Sequence, residues 1–126
     1  MRKTVLDVGN CSIDHSAIQR MVTGHFEAEV LRALGPEDAL QVLENRPVDL
    51  VLVNRKMQGG AADGIDFIRR LKADSRTGKI PVMLLSDYPR YQTSAVDAGA
   101  APGFGKSDLH SPEVREKLQP YLAGKM

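Results

Sequence analysis

Five short apolar runs, separated by segments with helical spacing, restrict this chain to a small number of folds. The runs are dominated by Val, Ile, Leu and Ala, and they span residues 5–8, 28–34, 48–53, 80–85 and 100–104. Runs this short and this apolar are typical of strands buried on both faces of a parallel sheet.

The segments between the runs carry apolar residues at the spacing of amphipathic helices. They span residues 13–22, 36–45, 65–73 and 90–98, and a fifth helix is predicted to begin at Pro112 with Ser111 as its N-cap. A strand–helix pair repeated five times predicts a doubly wound, parallel α/β sheet with helices on both faces. In such sheets the functional site lies at the carboxyl ends of the strands.

The composition excludes several classes of protein. The chain of 126 residues is predicted to form one domain, 1–126, and its 42% hydrophobic and 26% charged residues are typical of a globular protein. A net charge of +1 argues against a nucleic-acid partner. The single cysteine, Cys11, excludes an internal disulfide, and no apolar run is long enough to cross a bilayer. We therefore expect a cytoplasmic protein without a membrane partner. Three histidines far apart in the sequence do not predict a metal site.

The residues at the ends of the predicted strands carry a resemblance to a known family. In order along the chain these residues are Val51-Leu52-Val53-Asn54, Asp63-Gly64, Ser86, Ala98-Gly99-Ala100 and Lys106. Together they resemble a response-regulator receiver domain of the CheY-like kind along nearly the whole chain. The resemblance implies a flavodoxin-like, three-layer fold with strand order 2-1-3-4-5, in which Pro102 would lie on an edge strand. It also implies a two-component signalling module that is not an enzyme.

The resemblance is incomplete where the family is phosphorylated. Family members accept a phosphoryl group on an aspartate after the third strand, and an acidic pair after the first strand helps to bind Mg²⁺. Here the acceptor position is Asn54, and the acidic pair falls on Gly9 and Asn10. We therefore predict a degenerate receiver, a pseudo-receiver, that is not phosphorylated at Asn54 and has lost Mg²⁺ binding. Ser86 and Lys106 are the remaining members of this pocket.

The same resemblance suggests how the domain contacts other molecules. It places the family's aromatic switch residue at Gly103, with Phe104 one position later. The expected partner is a protein, bound on the face of the fourth helix, fifth strand and fifth helix, and a homodimer is one option. The loop that contains Gly59-Gly60-Ala61-Ala62 is about two residues longer than is usual in the family.

Three side chains of the pocket have open alternatives. Lys106 is expected to contact the Asn54 amide, water or a compensating acid, for which Asp7 is the candidate. Asp7 either pairs with Lys106 or faces the surface or water, because an unpaired carboxylate in a central strand is costly. Ser86 is expected either to bond Asn54 or Lys106, or to cap the following helix.

Two other functions remain open. The first is an active receiver whose acceptor is a different aspartate, Asp7 or Asp87. The second is nucleotide binding by Ala100-Ala101-Pro102-Gly103-Phe104-Gly105-Lys106-Ser107, which fits a relaxed P-loop pattern with Ala in place of the first Gly. The second is less favoured, since a P-loop leads directly into a helix, whereas three residues separate Ser107 from the predicted cap Ser111.

Overall fold

A computed structural model describes residues 2–57 and 62–123. Of the glycine-rich loop discussed above, residues 59–61 lie outside the described part. The elements in chain order are β1 (Lys3–Val8), α1 (Ser12–His25), β2 (Ala28–Ala33), α2 (Pro36–Asn45), β3 (Leu50–Asn54), α3 (Gly64–Ala73), β4 (Val82–Leu85), α4 (Pro89–Asp97), β5 (Ala101–Phe104), the 3-10 turn η1 (Lys106–Asp108) and α5 (Pro112–Leu122).

The five strands form one parallel sheet in the order β2-β1-β3-β4-β5. The order and the doubly wound α/β class confirm the prediction made from the sequence. Strand β5 is an edge strand, as expected from Pro102, which cannot donate a ladder hydrogen bond. The β4–β5 pairing is irregular: Met83 pairs with Ala101, but Leu85 pairs with Phe104.

The strands are buried on both faces because successive side chains point to opposite sides of the sheet. Val5 and Leu52 pack with α1 and α5, whereas Leu6 and Val53 pack with α2, α3 and α4. All four side chains are fully buried. This two-sided burial is the reason that the strands appear as continuous apolar runs in the sequence.

Two helices begin at residues whose side chains cap the first turn. Helix α5 begins as predicted, with Pro112 in the first turn and the Ser111 hydroxyl accepting a hydrogen bond from the Val114 N–H. Helix α3 is capped by Asp63, whose carboxylate accepts from the Ile65 N–H at 2.8 Å. Among the described residues, no helix is long and apolar enough to cross a membrane.

Candidate functional site

The carboxyl ends of β1 and β3 meet at Asn54, the residue that the sequence resemblance places at the acceptor position. Its side-chain nitrogen Nδ2 donates to the carbonyl oxygen of Lys56 at 2.7 Å and to that of Gly9 at 3.2 Å. Carbonyl oxygens only accept hydrogen bonds, so the nitrogen of the amide must face them. The amide therefore places a neutral donor between two oxygens that would otherwise be free to contact a cation.

Gly9 is held in a conformation that favours glycine. Its φ is +84°, and a Cβ atom at this position would lie 2.6 Å from the Cγ atom of buried Met57. L-residues other than glycine rarely adopt such a φ, and a contact this short requires Met57 to move. A side chain at residue 9 is thus disfavoured both by the backbone conformation and by the position of Met57.

Asn10, in the second position of the acidic pair, is turned into the protein. Its Nδ2 donates to Asp7 Oδ1 at 2.5 Å, and Asp7 Oδ2 lies 2.8 Å from His15 Nδ1. Asp7 and Asn10 are both 0% exposed, and within residues 2–57 and 62–123 the Asn10 oxygen Oδ1 has no hydrogen-bond partner. Burial raises the pKa of Asp7, and this effect exceeds the lowering by its hydrogen bonds to Asn10 and His15 and by the charges of His15 and Lys106.

Lys106 contacts an acid that the sequence did not single out. Its Nζ lies 2.8 Å from Asp14 Oδ2 on the first turn of α1. The hydrogen bond from Lys106 lowers the pKa of Asp14. The predicted pairing of Asp7 with Lys106 is therefore wrong. The prediction that Asp7 faces the surface is also wrong, because its carboxylate is buried and bound by Asn10 and His15. The available signal was the position of Asp14 near a helix N-terminus, where acids are favourable.

Ser86 lies just before α4 but does not cap it, because the N-cap residue is Tyr88 and, among the described residues, this helix has no side-chain cap hydrogen bond. The Ser86 hydroxyl accepts a hydrogen bond from the Tyr88 N–H at 3.2 Å, directly before α4 begins. The neighbouring Asp87 accepts from the Ser107 hydroxyl at 2.5 Å and from the Ser107 N–H at 3.4 Å. These two contacts organise the β4–α4 and β5–α5 connections beside the pocket.

The segment that matches a relaxed P-loop has a different local structure. Residues 101–104 form β5, and Lys106–Asp108 form one 3-10 turn, so no α-helix begins where a P-loop requires one. The Lys106 amino group is bound to Asp14. The geometry that cradles phosphates at a helix N-terminus is therefore absent from this segment.

The two residues at the family's switch position lie in different surroundings. Phe104 is buried in the core formed with α1 and α5. The Gly103 N–H donates to the side-chain oxygen of Gln92, a residue that sequence reasoning missed because a glutamine on a helix gives no distinguishing signal.

Next to the pocket, two tyrosines and an arginine form an aromatic group. The Tyr88 and Tyr91 rings meet edge to face with centroids 5.8 Å apart, and the Arg55 guanidinium lies 4.1 Å from the Tyr91 ring centre. Tyr88 is 61% exposed, which leaves it accessible to a partner.

The donor set around Asn54 does not fit a divalent cation. Mg²⁺ prefers several hard oxygen ligands, usually including carboxylates. The three positions at which the sequence resemblance predicts such ligands hold Gly9, Asn10 and Asn54, and the Asn54 nitrogen faces the nearby carbonyls. Within residues 2–57 and 62–123, no group of three or more His, Cys, Asp or Glu side chains is arranged to hold a metal.

Comparison with known families identifies the class of protein. Residues 13–116 match the model of the response regulator receiver domain. The chain therefore belongs to the response-regulator receiver family, whose members are in general signalling domains that interact with other proteins. No curated protein sequence is significantly similar to the chain.

Solved structures of receiver proteins share the fold at low sequence identity. A chain from Chloroflexus aurantiacus assigned as a response regulator is 22% identical, with a TM-score of 0.82 over 96% of this chain and 98% of that one. The chemotaxis response regulator CheY4 of Vibrio cholerae is 18% identical, with a TM-score of 0.75 over 97% and 100%. The Mn²⁺-bound form of response regulator Rcp1 is 19% identical, with a TM-score of 0.77 over 98% and 97%.

Proposed function

We propose that this receiver domain signals through protein contacts, without phosphorylation of residue 54 and without bound Mg²⁺. The observation that carries the proposal is the orientation of the Asn54 amide, whose nitrogen donates to the carbonyls of Gly9 and Lys56. A cation needs the same oxygens as ligands, and a hydrogen-bond donor already lies against them.

The chemistry of phosphoryl transfer supports the same conclusion. The acceptor must be a nucleophile, and a metal ion must neutralise the charge on the phosphoryl oxygens. A carboxamide is a poor nucleophile, and the pocket has lost the carboxylates that would bind the metal. Rcp1, whose fold is similar, has a Mn²⁺-bound form. In the present chain Gly9 adds an obstacle, since its backbone conformation and its contact with Met57 leave no room for an acid.

An active receiver with a different acceptor is the alternative proposal. Asp7 is fully buried and bonded to Asn10 and His15, so it offers no open approach to a phosphodonor. Asp87 is exposed, but its carboxylate is bound by Ser107. The structure therefore favours the unphosphorylated module over both acceptors.

Phosphorylation can be tested directly by mass spectrometry. The protein is incubated with acetyl phosphate and Mg²⁺, and its intact mass is measured beside a receiver domain that carries an aspartate at the acceptor position. We expect a phosphoryl adduct on the control and none on this chain. An adduct on this chain would overturn the proposal, and peptide mapping would then assign it to Asp7, Asp87 or another residue.

We propose that the domain acts by binding another protein. It catalyses no reaction of its own in this proposal, and it acts in the cytoplasm. The face of α4, β5 and α5 offers a site, because Val96 on α4 is 43% exposed and Pro102 on β5 is also exposed. Its partner is a second protein or another copy of this chain. Sedimentation of the purified protein over a range of concentrations separates these two cases, since only a homodimer gives a mass that depends on concentration.

A further inference from the structure

The side chain of Gln92, on α4, makes three hydrogen bonds to the backbone of the sheet. Its Nε2 donates to the carbonyls of Leu84 at 2.9 Å and Ser86 at 3.1 Å, and its Oε1 accepts from the Gly103 N–H at 3.0 Å. One helix side chain thus joins β4 to β5.

The irregular register of β4 and β5 explains why the Gln92 side chain finds unpaired backbone groups to bond. Between the two aligned pairs, β5 contains one more residue than β4, because Met83 pairs with Ala101 and Leu85 with Phe104. Such a bulge leaves ladder groups unpaired, and buried backbone groups require partners. The Gln92 amide carries a donor and an acceptor, as a peptide group does, and pairs with the Leu84 carbonyl and the Gly103 N–H, which lie within the irregular stretch.

Gly103 is held from both neighbouring helices. Its N–H donates to Gln92 of α4, and its carbonyl accepts from Lys117 Nζ of α5 at 2.8 Å. A Cβ atom on residue 103 would lie 2.1 Å from the Leu84 carbonyl oxygen and 3.0 Å from Gln92 Oε1. The backbone therefore approaches β4 so closely that no side chain fits at this position.

We propose that Gln92, Gly103 and Lys117 form a fixed polar tie that holds α4, β5 and α5 in one arrangement. The face that these elements build is then permanently in a single conformation, and Gly103 has no side chain that could move between two positions. This inference goes beyond the proposed function and does not depend on whether Asn54 accepts phosphate, so all its tests omit any phosphodonor.

The first test uses the unmodified protein and measures hydrogen exchange of the glutamine side-chain amides by NMR. Because both Nε2 hydrogens are engaged by carbonyls, we expect the Gln92 amide to exchange at least about tenfold more slowly than those of exposed Gln41 and Gln119. Equal exchange rates for the three glutamines would overturn the tie.

The second test compares Gln92→Leu with Gln41→Leu, the same substitution on the exposed surface of α2. In Gln92→Leu we expect the Gly103 amide to exchange about tenfold faster, and resonances of α4 and β5 to show new microsecond-to-millisecond exchange. Gln41→Leu should leave both unchanged. If Gln92→Leu folds and its Gly103 amide exchanges as slowly as in the unmodified protein, the proposal is refuted. If the variant does not fold, the side-chain exchange measured in the first test decides between the two outcomes.

Discussion

The amino group of Lys106 lies 2.8 Å from the carboxylate of Asp14, which joins the end of β5 to the first turn of α1. The two residues are 92 positions apart in the sequence. The positive charge beside the pocket is thus neutralised by a helix residue, and the strand tips themselves need no carboxylate to balance it.

We expect the Lys106–Asp14 pair to contribute modestly to stability. In a double-mutant cycle with Lys106→Gln and Asp14→Asn, urea unfolding should give a coupling free energy of about 0.2–1 kcal/mol, the range of partly exposed ion pairs. Because the pKa of Asp14 is lowered in the folded state, the coupling should be present above the ordinary value of 3.8 and disappear as the pH falls through the lowered pKa. Repeating the cycle with Asp38→Asn on α2 should give no coupling, and equal couplings in both cycles would contradict a specific contact.

Gly9 should not tolerate a side chain. We expect Gly9→Ala to lower the free energy of unfolding by about 2 kcal/mol, because φ at this residue is +84° and the new Cβ would press on Met57. Gly24→Ala is the matched control: Gly24 is in α1, and apart from its own helix no atom of the described residues lies within 4 Å of its Cβ position, so alanine should stabilise by about 0.5–1 kcal/mol. Urea denaturation of both variants measures the two effects, and a neutral Gly9→Ala would show that the strand end can relax.

The buried Asp7 should give stability an identifiable pH dependence. Its pKa is raised in the folded state, so the cost of burying the charged carboxylate is absent at low pH and appears as the pH rises above the ordinary value of 3.8 and through the raised pKa. Asp7→Asn removes this cost while keeping the shape of the side chain. We therefore expect the stability of Asp7→Asn relative to the unmodified protein to increase with pH.

The measurement for Asp7 is urea unfolding of both proteins at a series of pH values from the ordinary carboxyl pKa of 3.8 upward. Asp38→Asn, an exposed substitution on α2, serves as the control for removing a carboxylate outside the core. A pH-independent difference for Asp7→Asn would indicate that the folded protein holds Asp7 at its ordinary pKa.

We expect Asn54→Asp to make the stability of the protein depend on Mg²⁺. A carboxylate at residue 54 would face the carbonyl oxygens of Gly9 and Lys56, and the lost hydrogen bonds should cost about 1–3 kcal/mol without metal. Millimolar Mg²⁺ should restore part of this loss, because the carboxylate and two carbonyls form a set of hard oxygen ligands. The unmodified protein should unfold at the same temperature with and without Mg²⁺. A Mg²⁺-dependent rise in the unfolding temperature of the unmodified protein would contradict the proposal that the Asn54 amide prevents cation binding.

The sequence was sufficient to predict the fold because burial on both faces of the sheet makes each strand a continuous apolar run. It also located the ends of β1 and β3, where Gly9 and Asn54 meet. The sequence could not predict which side chains from distant segments would contact each other. Asp14 reaches Lys106 only because the first turn of α1 and the turn after β5 lie at the same end of the sheet, and Gln92 reaches Gly103 only because β5 carries an extra residue. Neither side chain differs in type from an ordinary surface residue.

The left-handed turn at Gly9, with Met57 packed against it, bears on protein engineering. Three point substitutions back to aspartate would leave the exit of β1 too narrow for the first of them. Restoring an acidic side chain at residue 9, beyond the single carboxylate of Asn54→Asp, would require reshaping that exit and replacing Met57 at the same time.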